Sequence, residues 1–157
     1  MQSLLLALNI FIATHTDYPI VNKYPEVITL SQQEMHWKYY GCKGEARYME
    51  KNCRRSYDKF TAIGLYDSKN KVIYISKEFK ENNPRWVTNS VILHELVHYL
   101  QDLAGVLKDR SICRGLKEVK AYRLQQKYLE EKQINFYKSI NVNELFIRSM
   151  LADCHMS

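Results

Sequence analysis

The sequence predicts one α+β domain, in which a short antiparallel sheet packs against a helix carrying His94, Glu95 and His98 and a following helix carrying Glu118. Three observations support that class. Helix signals recur in five segments of the chain, and two runs rich in apolar and β-branched residues are joined by turn chemistry. No linker, repeat or low-complexity tract divides the 157 residues. A chain of this length buries about two-thirds of its unfolded surface, so the core does not need metal or disulfides to form.

Leu4, Leu5, Leu8, Phe11 and Ile12 fall at helical spacing and predict an amphipathic first helix within Leu4 to Ala13. The same run is apolar enough for a signal-peptide core, but no Lys or Arg precedes it and no small-x-small cleavage site follows. It is also too short to span a bilayer, so no transmembrane segment is expected. Asp17-Tyr18-Pro19 breaks the pattern, and Glu26 to Leu30 reads as a short strand. Ser31-Gln32-Gln33-Glu34 is a capping box, which starts a second helix running to about Tyr40 and stopping at Gly41. Cys42 to Lys59 has no period and reads as irregular.

Thr61 to Tyr66 and Lys71 to Ile75 form the expected hairpin around Asp67-Ser68-Lys69-Asn70. Asn83-Pro84 marks the approach to a helix from about Thr88 to Ala104, with Gly105 as its stop. A fourth helix is expected over Leu116 to Glu131 and a fifth over Val142 to Leu151, capped by Asn141.

The net charge of +6 comes mainly from Lys38 to Lys59 and Lys108 to Lys127. With no nucleic-acid motif beside it, this charge reads as a solvated basic surface, and nucleic acid is not the expected partner. Cys42, Cys53, Cys113 and Cys154 permit three pairings in an oxidising compartment. None lies in a Cys-x-x-Cys pair, which argues against a zinc ribbon or a thioredoxin-type redox site. A periplasmic or secreted location is favoured over a cytoplasmic one.

His94-Glu95-Leu96-Val97-His98 sets two imidazoles one helical turn apart with a carboxylate beside the first, a pattern for zinc. At 100° per residue, Ile92, Leu93, Leu96, Leu100 and Leu103 share the opposite arc of the helix. The histidines instead share a polar arc with Gln101 and Asp102. A catalytic zinc takes three protein ligands, so one more is required. A metzincin would place Gly and His where Gln101 and Ala104 stand, which excludes that class. Glu118 is the favoured third ligand: it shares an arc with Ala121, Tyr122, Gln125 and Leu129, while Lys120, Arg123 and Lys127 lie opposite. Asp102 and Asp109 are alternatives, with Asp102 better placed to support a ligand than to act as one, and His155 is a weaker candidate.

His-Glu-x-x-His followed by Glu118-Val119-Lys120-Ala121 resembles the gluzincin branch of the zincin metallopeptidases. The resemblance implies a zincin-like domain, zinc bound by His94, His98 and Glu118, and Glu95 as general base. Gly64 to Asp67, Val72 to Ile75, Leu93 to Gln101, Glu118 to Gln125 and Tyr128-Leu129 are similar to a small bacterial family of zinc metallopeptidases without a settled activity. Nothing after residue 131 is covered by that likeness. The expected reaction is peptide hydrolysis: zinc lowers the pKa of its water from 15.7 to about 7, and Glu95 takes the proton. Tyr122 or Tyr99 is expected to donate to the oxyanion, and Thr61 to Ile75 to wall the cleft. Two rival readings use the same residues differently. In one, His94, His98, Cys113 and Cys154 close a non-catalytic zinc site; in the other, a DNA-associated peptidase cleaves a regulator.

Overall fold

The computed structural model describes residues 1–40, 62–152 and 154. The stretch Cys42 to Lys59, read as irregular, lies outside the described residues, as do Gly41 and His155. The described elements run α1 (Gln2–His15), β1 (Glu26–Leu30), α2 (Gln32–Tyr40), β2 (Gly64–Asp67), β3 (Val72–Ser76), α3 (Lys77–Asn82), α4 (Arg85–Leu103), α5 (Arg114–Glu130), α6 (Phe136–Ile140) and α7 (Glu144–Ala152). Helix α4 lies at the centre, with α5, α1 and the β2–β3 face of the sheet packed around it.

The sheet has three strands in the order β1-β3-β2. Strands β2 and β3 form the expected antiparallel hairpin, pairing Gly64 with Ile75 and Asp67 with Val72. The sheet as a whole is mixed, which corrects the antiparallel expectation. Strand β1 joins β3 in parallel, Glu26 opposite Val72 and Leu30 opposite Ser76. Parallel neighbours need a crossover of a dozen or more residues, and between β1 and β3 the chain passes through α2 and β2. The hairpin turn is held by Asp67, which accepts from the amides of Lys69 and Asn70 and from the Asn70 side chain. Lys71 then takes a left-handed conformation, φ 58°, and its Nζ reaches back to Asp102 on α4.

Helix α1 is amphipathic as expected: Leu5, Leu8 and Ile12 are buried, while Leu6 and Ile10 face solvent. Among the apolar residues Asn9 is fully buried, and its amide pins the return loop. It accepts from Val21 N at 2.8 Å and Tyr24 Oη at 3.2 Å, and donates to Pro19 O at 3.1 Å. Ser31 and Glu34 form the expected box, the Ser31 amide donating to Glu34 and the Glu34 amide to Ser31 Oγ.

Three local departures have plain causes. The short helix α3 was not expected; Ser76 starts it by accepting from Phe79 N. Helix α4 begins at Arg85 rather than Thr88, because Pro84 stands at its N-cap, where a missing N–H costs nothing. Asn141 does not cap the last helix: its left-handed backbone, φ 55°, ends α6, and Asn143 caps α7 by accepting from Phe146 N.

Helix α4 also departs from the simple amphipathic picture, since every residue from Val87 to Asp102 is buried. The arc opposite the leucines is polar but covered by β2 and α5 rather than open to water.

Helix α7 packs on α5 at backbone distance. A Cβ at Gly115 would fall 1.8 Å from Met150 O, the Cys113–Cys154 disulfide closes the same end, and Arg123 grips Glu144 at 2.7 Å near the other. Replacing Gly115 by Ala is therefore expected to destabilise the fold by about 1–3 kcal/mol. Thermal unfolding of the variant checks this, and an unchanged midpoint would contradict the close packing. No helix among the described residues is long and apolar enough to cross a membrane.

Candidate metal centre

Helices α4 and α5 bring the three sequence-predicted ligands to one point. His94 Nε2 and His98 Nε2 lie 3.2 Å apart, and Glu118 Oε2 is 3.5 Å and 3.3 Å from them. Donors about 2.0–2.1 Å from a tetrahedral zinc stand about 3.4 Å from one another. The triangle therefore has the size of one tetrahedral face, and two nitrogens with a carboxylate oxygen are a donor set that zinc accepts.

The imidazoles are held from behind. Gln101 Oε1 accepts from His98 Nδ1 at 2.8 Å, and Gln125 Oε1 accepts from His94 Nδ1 at 3.1 Å. Each carboxamide is oriented in turn: Gln101 Nε2 donates to Lys117 O and Gln125 Nε2 to Ser90 Oγ. Both Nδ1 atoms are thereby occupied as donors, which turns both Nε2 atoms toward the shared point. Sequence reading placed Gln101 and Gln125 on the right arcs but gave them no role. Their signal was position, Gln101 three residues after His98 and Gln125 seven after Glu118.

The electrostatics favour positive charge at that point. Burial opposes protonation of His98, but the hydrogen bond to Glu118 and the charges of Glu95 and Glu118 outweigh it and raise its pKa to about 9. Burial would raise the Glu118 carboxyl, yet its bonds to His94 and His98 hold it far below the usual carboxylate range.

Glu95 lies outside the triangle, with its carboxylate against strand β2 of the hairpin. Burial pushes its carboxyl up, opposed by His94 and His98 and reinforced by Glu118. Strand β2 passes directly over it: a Cβ at Gly64 would come 2.6 Å from Glu95 Oε1 and 2.7 Å from Val91 Cγ1. Glycine is what lets the strand and this carboxylate share the space.

The remaining candidates separate. Tyr122 stacks edge-on against His94, ring centroids 4.5 Å apart, and burial followed by the nearby carboxylates raises its phenol to about 12. Tyr99 is not at the site; its hydroxyl donates to Lys23 O across the fold. Asp102 is no ligand either. It faces the hairpin, where it accepts from Tyr66 and Lys71 and ties β2–β3 to α4. Asp109 caps its own turn through Ser111. The closed site built from His94, His98, Cys113 and Cys154 does not form, because the two sulfurs are joined to each other.

The centre opens into a cleft of about 980 Å³ between the β2 edge of the sheet and the α6–α7 corner. His94, Glu95, His98 and Glu118 line it together with Tyr122 and Gln125.

Fold and site thus define a small α+β domain with a two-histidine, two-glutamate centre on its two central helices. The chain belongs to the family described as Domain of unknown function (DUF6647), which matches residues 1–156. No curated protein and no solved structure matches it.

Proposed function

We propose that the protein is a zinc-dependent metallopeptidase of gluzincin type. The carrying observation is the 3.2–3.5 Å triangle of His94, His98 and Glu118, with Glu95 beside it on the same cleft. His94, His98 and Glu118 would hold the metal. When bound, zinc supplies Lewis acidity toward water and toward a carbonyl oxygen.

The rest falls to the chain's own groups. Glu95 takes a proton from the attacking water on its carboxylate and later returns it to the leaving amine. A carboxyl raised by burial is suited to both halves of that exchange near neutral pH. Tyr122, protonated at any working pH, is the remaining hydroxyl beside His94 that can donate to the oxyanion. Strand β2, an edge strand of the sheet among the described residues, lines the cleft and offers backbone to an extended peptide. The Cys113–Cys154 disulfide supports a periplasmic or secreted setting.

The test is a peptide-library digest with purified protein, together with its metal content. About one zinc per chain and chelator-sensitive cleavage are expected. Metal-free protein that neither takes up zinc nor cleaves any peptide after zinc addition would reject the reading.

Proton release gives a second check. A ligating imidazole must be neutral, whereas His98 without metal keeps its proton up to about pH 9. Zinc binding at neutral pH is therefore expected to release about one proton. Affinity should climb as pH rises and level off above about 9. Calorimetry in two buffers of different ionisation heat counts the proton; a pH-independent affinity from neutrality to that point would contradict the assignment.

A further inference from the structure

We infer that the lobe of the cleft between α5 and the α6–α7 corner is a side-chain subsite for a neutral apolar or aromatic residue next to the cleaved bond, read by Phe146. This rests on the peptidase reading and goes beyond it by naming a substrate class.

Rings lead from the centre into the lobe. The His94 ring meets Tyr122 at 4.5 Å, and Tyr122 meets Phe146 edge-on at 6.3 Å. Ile140 and Val142 also line the lobe, together with the uncharged polar side chains of Ser139, Asn141 and Asn143. Phe146 is 45% exposed while its neighbour Ile147 is fully buried. Helix α7 thus docks through Ile147 and leaves an aromatic ring on the cleft. With Tyr122 between it and His94, the ring continues the aromatic surface of the centre into the lobe.

Among the described residues, the lobe carries no charged side chain: the acidic and basic side chains lining the cleft are His94, Glu95, His98 and Glu118 at the centre and Arg114 close to Glu118. None belongs to α6, α7 or the corner between them. Glu144, the acidic residue nearest to Phe146 on α7, is taken up by Arg123, Arg148 and Tyr137. Asn143 Oδ1 is occupied by the Phe146 amide. A charged substrate side chain entering here would lose water and find no counter-charge, whereas an apolar one would gain the rings.

The wall is also fixed in place. The Arg123–Glu144 pair near its start, the Gly115–Met150 backbone contact and the Cys113–Cys154 disulfide all hold α7 to the helix that carries Glu118. Subsite and metal ligand therefore keep a constant spacing, as selection of one side chain beside the cleaved bond requires.

Binding and cleavage are measured separately. Zinc-loaded Glu95→Gln is titrated with fluorescent peptides identical except for one residue, Phe, Leu, Lys or Glu, and zinc-loaded wild type is assayed for cleavage of the same set. Phe and Leu peptides are expected to bind about tenfold or more tighter than Lys and Glu peptides. Adding Phe146→Ala should erase most of that preference, and Phe146→Leu should restore part of it. Equal binding of the four peptides, or a preference unmoved by Phe146→Ala, overturns the subsite. Phe146-dependent binding without any wild-type cleavage keeps the subsite and rejects the peptidase. Cleavage with a profile blind to Phe146 rejects the subsite alone, and neither binding nor cleavage rejects both.

Discussion

Glu95→Gln is expected to keep the metal and to lose peptide hydrolysis by a factor of about 10²–10⁴, the usual contribution of a positioned general base. The substitution is nearly isosteric, so the close approach of Gly64 survives and strand β2 stays where it is. What disappears is the ability to take a proton. Zinc content should remain at that of the wild type, because Glu95 contributes charge near the histidines but lies outside the His94–His98–Glu118 triangle. Metal analysis and single-peptide hydrolysis rates on one preparation check both halves. Activity within a few-fold of wild type would remove Glu95 as the base. Loss of zinc together with activity would instead make it a ligand.

Glu118→Ala should have its main effect on affinity for the metal. Outer-shell partners of a metal site typically cost about 10–100-fold when removed, and a direct ligand should cost more. We therefore expect zinc affinity to fall by more than about 100-fold in Glu118→Ala and by about 10–100-fold in Gln125→Ala, which only loses the acceptor behind His94. Competition with a chromophoric chelator ranks the two. The same change removes the carboxylate that holds the proton on His98, so that ring should titrate lower than about 9, seen by NMR of the imidazole. Equal affinity in the two variants would mean that Glu118 supports the site rather than binding in it.

The chemistry-bearing residues were more legible than their surroundings. Helical spacing alone put His94 and His98 on one face and turned Glu118 inward, because those arguments depend only on the local helix. Asp102 and Tyr99 stay alternatives on that basis, and long-range partners decide their fate: Lys71 and Tyr66 for one, Lys23 O for the other. The parallel pairing of β1 with β3 joins residues 46 apart, such as Glu26 and Val72, and no local pattern encodes it. Polar residues on α4 read as one polar arc, with nothing to say whether it is covered, because periodicity reports polarity and not cover. Their cover comes from β2, admitted by Gly64, and from α5. The segment after residue 131 carried no motif, and its part in the cleft rests on the contact between Gly115 and Met150.

The enclosure of α4 has a consequence for motion. A helix buried over sixteen consecutive residues releases their amide hydrogens mainly when the whole domain opens, so Val87 to Asp102 should be the slowest-exchanging stretch among the described residues. His94, Glu95 and His98 are thus mounted on the least mobile element, while Glu118 comes from a helix with an exposed face. Capturing an ion would then be a matter of α5 settling onto a stationary partner. Protection gained on zinc addition should concentrate around Glu118 and barely change around the histidines.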